Sequence, residues 1–550
     1  MATWKIWIGA VILLCAACVY GEEYDLVILG GRVMDPETML DAKLNVGVKD
    51  GIIATITPDS ITGTETIDAS GHVVAPGFID THFHALDGLS MKMAARDGVT
   101  TGMDLEIGAI NINDWYAAKK NKWPVNYGVG ISQEGVRMLV HDPEAKIQGW
   151  QDAPTILGPL QKATTADGVA GWASKVSNRE EMNQILQLLD EGFAQGAINL
   201  ASTTAYMREG LTAQEMYESQ KLAADWGRFT ASHTRYHGSS SDPEAEQGAN
   251  ELIANAFVLD AGLLILHNND YGWAQIEEKL QAGRAKGLNW WSEYYPYDAA
   301  STAIGSGFFQ PEVFVDRMGG DYERDMYDPT QDKFLTKEEY EKIAKSDPGR
   351  LVVIFSPARK KWLPQWLRIP HMTVASDAIF SGKGVDSWDL DWSEYQGHPR
   401  TGGTRAKVIR LGREQGVPLM FSLAQMSYWP AYHLGKAGLE SMKVRGRMQE
   451  GMVADIVVFD PLKTRETSTY KAGEQGNPST GIPYVIVNGQ QVVKDNKFLK
   501  VWAGQPIRYP SSNDSKFEPI SEEEWLDRHA IRTHSVHENL RSLGEPDDTH

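Results

Sequence analysis

Pro76-Gly77-Phe78-Ile79-Asp80-Thr81-His82-Phe83-His84 is the stretch on which the reading of this chain turns. An apolar run ends in two histidines one residue apart. On a strand alternate side chains share a face, so His82 and His84 project together. Two imidazoles side by side suit a borderline-soft divalent cation such as zinc. A bare His-x-His arises easily by chance; at the C-terminal end of a first barrel strand it reads as a metal-binding pair.

Working outward, from about Gly77 to Leu439 apolar β-like runs alternate with helical stretches, the pattern of parallel βα units. Candidate strands are Val73 to His84, Val99 to Glu106, Val125 to Ser132, Ala197 to Ala201, Phe229 to His233, Leu263 to His267, Leu288 to Tyr297 and Met372 to Asp377. Their number is the one a closed barrel needs. The polar stretch 310–345 between the last two reads as an inserted lid or helical excursion. Short β segments follow Tyr24 and return between Gly451 and Gly489, so residues 22–76 and 440–505 read as one small β domain around the barrel of 77–439. Residues 506–550 form a C-terminal extension, in which Ser521 to Leu543 reads as a helix with His529, His534 and His537 on a solvated face.

The chain has 550 residues, 42% of them hydrophobic, 23% charged, and 17 Trp, which describes a globular protein with a large core. A formal charge of -20 argues against unspecific binding to nucleic acid or anionic lipid. Lys5 precedes an apolar run from Ile6 to Tyr20, about 22 Å as a helix and short of the ~30 Å hydrocarbon core. Residues 1–21 therefore read as a signal peptide cleaved before Glu22, giving a secreted or periplasmic protein with no membrane attachment afterwards. Lipidation at Cys18 is disfavoured, because Cys15 stands where a lipobox prefers Leu. These are the 2 cysteines of the chain. The expected mature protein has no disulfide and no thiolate nucleophile or ligand.

The chain resembles the amidohydrolase superfamily and, within it, the D-aminoacylase group of N-acyl-D-amino-acid deacylases. The likeness is carried by Asp25-Leu-Val-Ile-Leu-Gly-Gly-Arg-Val, by Pro-Gly-Phe-Ile-Asp-x-His-x-His, by Gly98-Val-Thr-Thr and by Gly446-Arg-x-x-x-Gly-x-x-Ala-Asp455. It implies a (β/α)8 TIM-like barrel beside a small β-sandwich, with the active site at the C-terminal ends of the strands. It further implies metal ligands at His82, His84, His233, His267 and Asp377. The group also has a ligand after the second strand, usually a cysteine in Asn-Cys-Gly. This chain has Asp104-Leu-Glu106-Ile-Gly108 there, which makes Glu106 the substitute ligand and Asp104 its rival. No lysine occurs in Gly196 to Ala201, so a carbamylated lysine is not expected.

One or two zinc ions would acidify a bound water and polarise the scissile carbonyl. Asp377 would take the proton and pass it to the leaving nitrogen, the role that the resemblance gives it. The resemblance also implies that Arg400 of His398-Pro-Arg, Tyr297 and Ser301 grip a substrate carboxylate, with Tyr206 nearby; paired N–H donors of an Arg match both carboxylate oxygens. One departure bears on this: where the group has His-His-Lys or similar, this chain has His267-Asn268-Asn269, which loses a charge. The expected activity is hydrolysis of the amide bond of a small N-acyl-D-amino acid by metal-bound hydroxide. Alternatives are an amidohydrolase acting on a cyclic amide, lactone or dipeptide-like substrate, and a catalytically inactive barrel acting as a binding protein, whose usual mark is missing ligands.

Overall fold

The computed structural model describes residues 24–160 and 170–529. The expected leader and the part of the expected tail helix beyond His529 lie outside these. Eight strands pair in parallel in chain order: β1 (Phe78–Asp80), β2 (Val99–Ala109), β3 (Asn126–Ser132), β4 (Asn199–Ser202), β5 (Phe229–Ser232), β6 (Leu263–Ile265), β7 (Trp290–Tyr294) and β8 (Met372–Val374). Every residue of these strands is buried, as expected of strands whose faces are covered by helices outside and by each other within. The barrel read from the alternation is present. Its two ends meet where Phe83 bridges to Ala378 and the His84 N–H donates to the Ala378 carbonyl at 2.9 Å.

A buried charge fastens that seam. Asp80 at the end of β1 accepts the Ser376 N–H at 3.0 Å and the Ser376 hydroxyl, and lies 3.0 Å from Arg405. Both charged side chains are fully buried, so each exists there only because the other does.

Between β7 and β8 the chain makes an excursion wider than the stretch 310–345. Ala299–Ala303 pairs antiparallel with Leu351–Phe355, which pairs with Met326–Asp328 and so with Lys333–Phe334. The helix Lys337–Ser346 starts in a capping box made by Thr336 and Glu339. This unit is a small antiparallel sheet with helices, and it has its own apolar cluster around Phe309, Phe314, Tyr322 and Tyr340. The strand Ala299–Ala303 is hard to see in the sequence because its residues are small; its partner Leu351–Phe355 supplies the apolar face.

The remaining sheet is drawn from both ends of the chain. Val73–Pro76 lies between Tyr24–Asp35 and Ile456–Phe459, and pairs with the latter antiparallel in the register Val457 to Ala75. Tyr484–Val487, Gln490–Lys494 and Lys497–Phe498 extend one side, and Leu40–Lys49 and Ile52–Thr57 the other. Pro76 ends this sheet and Phe78 begins the barrel. Gly77 between them packs where a Cβ would stand 2.2 Å from the Thr100 side chain, so only glycine fits. Among the described residues, no helix is long and apolar enough to cross a membrane.

Candidate metal centre and active site

His82 and His84 emerge from β1 into the C-terminal mouth of the barrel and are buried. The Nδ1 of His82 lies 2.7 Å from Glu293 Oε1, and the Nδ1 of His84 lies 2.9 Å from Asp104 Oδ2. Ionised carboxylates only accept, so both Nδ1 atoms donate and both Nε2 atoms turn inward, where they stand 3.0 Å apart. Thr81 holds Glu293 from its other oxygen at 2.7 Å.

Glu106 meets these nitrogens because β2 does not run straight. Asp104 pairs with Val129, but the next pairing is Ala109 with Ile131, so the intervening residues form a bulge. Asp104 Oδ1 caps it, accepting N–H groups from Ile107 and Gly108 at 3.0 Å each. Gly108 closes the bulge at φ +68°, where a Cβ would stand 2.6 Å from the Gly130 carbonyl oxygen. The bulge projects Glu106 over the mouth. Its Oε2 lies 2.7 Å from His82 Nε2 and 3.0 Å from His84 Nε2. Its Oε1 lies 3.0 Å from His233 Nδ1 and 3.3 Å from His267 Nε2. Of the two acidic candidates, Glu106 stands among the histidines and Asp104 behind one of them.

Asp377 closes the ring, with Oδ1 at 3.4 Å from His82 Nε2, 3.7 Å from His84 Nε2 and 2.8 Å from Arg400 Nη2. His267 and Asp377 both have left-handed backbone, at φ +27° and +51°. Non-glycine residues pay for this conformation, and such strain clusters at functional sites.

Nitrogen and oxygen donors packed at 2.7 to 3.0 Å repel one another unless positive charge stands among them. The spacing suits a cation bound at the ~2.0–2.2 Å typical of zinc. The field agrees: burial opposes a charge on His82, yet Glu106 and Asp377 hold its pKa well above the ordinary value. Burial raises the pKa of Asp377 against the pull of Arg400 and the histidines. His82, His84, Glu106 and Asp377 can form one cation position, and His233 with His267 a second, with Glu106 reaching both.

The sequence reading missed His237, whose ring is 4.2 Å from that of His267 and 4.7 Å from that of His233, centroid to centroid. Its only signal is the spacing His233-x-x-x-His237.

Above the donors lies a cavity of about 470 Å³. Tyr206 and Ser301 line it; the Tyr206 hydroxyl is 2.9 Å from that of Thr302, and the Ser301 hydroxyl has no hydrogen-bond partner among the described residues. Tyr297 does not reach it. A tight turn, in which the Tyr297 N–H donates to the Tyr295 carbonyl at 2.9 Å, sends the two rings apart. Tyr295 enters the wall, while Tyr297 turns its hydroxyl to the Pro399 carbonyl at 3.4 Å. Arg400 is fully buried beside Asp377 and also stays out of the wall.

A different arginine lines the cavity. Arg359 donates to the Tyr295 hydroxyl at 2.7 Å and to Asp270 at 2.9 Å, and its Nε–H has no partner among the described residues. Glu134 is also in the wall, where burial and the charge of Glu106 push its carboxyl pKa well above the ordinary range. Trp172, Phe309, Phe314, Met318 and Leu351 make much of the rest apolar.

No family model matches the chain. A D-aminoacylase of Alcaligenes xylosoxydans xylosoxydans is 24% identical over 519 residues, 88% of this chain and 98% of that protein. The N-acyl-D-glutamate deacylase of Bordetella bronchiseptica, solved with zinc and a phosphonate mimic of the tetrahedral intermediate, has the same fold. It gives a TM-score of 0.65 at 21% identity, over 89% of this chain and 100% of that one. A D-aminoacylase with a binuclear metal centre, activated by one metal and attenuated by the second, gives 0.65 at 20% identity, over 88% of this chain and 100% of that one. The likeness to the D-aminoacylase group, read above from four motifs, extends along most of the chain.

Proposed function

We propose that this relative of the D-aminoacylases removes the acyl group from N-acyl-D-amino acids with one or two zinc ions bound. The chain is a metal-dependent amidohydrolase, acting on carbon–nitrogen bonds other than peptide bonds. The observation that carries the proposal is the Glu106 carboxylate, which lies between His82 and His84 on one side and His233 and His267 on the other, at the floor of a cavity.

The bound cation supplies a polarised carbonyl and an acidified water. The side chains do the rest. Asp377 accepts the proton of the attacking water and delivers it to the leaving nitrogen. Arg400, at 2.8 Å, holds that carboxylate in place. Glu293 and Asp104 fix the tautomers of His82 and His84. The apolar wall takes the acyl chain and excludes water. A substrate carboxylate needs a charged partner once desolvated. Arg359, with Tyr295 and the unpartnered Ser301 hydroxyl, offers it in the wall and restores the charge missing at Asn269.

The test is a panel of N-acyl amino acids of both configurations, with free carboxylate or primary amide, beside cyclic amides and lactones. The D acids with free carboxylate are expected to react fastest; preference for the cyclic substrates would replace the proposal. Arg359→Met should lower kcat/KM for the free acid by about 1.5–3 kcal/mol, the scale of a hydrogen bond to a charged group, and much less for the amide. Arg400→Met acts through Asp377 and should lower both equally. The opposite pattern would return the carboxylate to Arg400.

A further inference from the structure

We propose that Glu134 selects the acyl group of the substrate, and that this group ends in an ammonium. The inference rests on the deacylase reading above and names the substrate class within it.

Among the acids of the cavity wall, Asp270 faces Arg359 and Asp325 faces Arg324, while Glu106 and Asp377 stand among the histidine nitrogens. Glu134 is different. It is 1% exposed, and its Oε2 has neither a cation nor a hydrogen-bond donor beside it among the described residues. A buried carboxylate without a cation is costly. A cation that enters the cavity therefore gains a partner at Glu134, and its approach favours the ionised form of the acid.

The place of Glu134 is fixed by its element. It stands in the first turn of the helix Gln133–His141, directly after β3, and Ser132 caps that turn by accepting the Gly135 N–H at 3.0 Å. Two further wall residues come from the same part of the barrel: Thr203 follows β4, and Trp172 lies in the connection from β3 to β4. The Trp172 backbone is held on both sides. Its N–H donates to Asp142 at 2.7 Å, and its carbonyl accepts the Arg137 Nε–H at 2.7 Å. An indole face suits a short methylene chain and the ammonium at its end.

Topology decides which end of the substrate these residues meet. Tyr295 and Arg359 lie between β7 and β8, whereas Glu134, Trp172 and Thr203 surround β3 and β4, four strands away in a barrel of eight. The two groups thus face each other across the mouth. With the substrate carboxylate at Arg359 and the scissile amide over the donors of the floor, the acyl group points to Glu134. A plain alkanoyl group leaves that acid without a partner; an aminoalkanoyl group supplies one.

Isosteric substrate pairs test this on the full-length enzyme with its metal. The pairs are 3-aminopropanoyl against butanoyl and 4-aminobutanoyl against pentanoyl, each on D-leucine and D-glutamate, so that the members differ by an ammonium in place of a methyl. In the better pair kcat/KM should favour the ammonium by about ten-fold or more, the scale of a hydrogen bond between charged groups. Glu134→Gln should remove most of that ratio. A wild-type ratio near one, or a preference for the methyl members, would overturn the proposal without need of the variant. A ratio that survives Glu134→Gln would overturn the role of Glu134, and so would an equal loss on both members, which marks a contact with the amide itself. Turnover of no member of any pair would overturn the deacylase reading as well.

Discussion

Replacing Glu106 by Gln removes one charge from between two pairs of histidine nitrogens while keeping the side chain's size. If both oxygens hold cations, the variant should lose at least one equivalent of metal and nearly all turnover. Asp104→Asn leaves the donors in place and weakens only the support behind His84, so it should cost about 10–100-fold in metal affinity. Elemental analysis after dialysis decides; metal loss in the second variant alone would make Asp104 the ligand. The sequence reading preferred Glu106 to Asp104, and Glu106 is the acid that stands among the histidine nitrogens. His82 and His84 were legible because strand alternation is regular; the bulge after Asp104, which breaks that alternation and carries Glu106 over the mouth, was not. Tyr297, which the resemblance put beside a substrate carboxylate, is turned away from the cavity by a tight turn that the sequence pattern does not show. His237 and Arg359 come from a loop and from the end of the excursion, where spacing carries no direction at all.

At the scale of elements, the seam between β1 and β8 depends on one buried ion pair. Asp80→Asn keeps the shape but leaves Arg405 charged, fully buried and without its anion. The cost should be about 3–5 kcal/mol, read by denaturant unfolding. A loss under 1 kcal/mol would mean that water reaches Arg405 or that the seam does not need the charge. The barrel strands were legible because each is a short apolar run between helices. The antiparallel sheet of the excursion was not, because a strand such as Ala299–Ala303 is recognisable only beside its partner. His267 and Asp377 stand at strand ends in left-handed backbone, which sequence patterns do not reveal.

For the whole molecule, candidate ligands at β1, β2, β5, β6 and β8 would tie metal binding to the fold. A chelator should abolish hydrolysis, and added zinc should restore it. The same treatment should lower Tm, because a cation at a hundred times its Kd stabilises the folded state by about 2.7 kcal/mol. Equal Tm with and without metal, measured by calorimetry, would show that the folded protein does not bind the ion. The sheet drawn from both chain ends sets a different kind of constraint, one of time. Val73–Pro76 leaves the ribosome early, but Ile456–Phe459, its antiparallel neighbour, comes only after the whole barrel has been made. At about 5–20 residues per second, that strand waits on the order of 20–80 s with one apolar edge unpaired. Synthesis therefore exposes a sticky edge that the finished protein never shows, and a chaperone or a fast-folding barrel must cover for the missing neighbour.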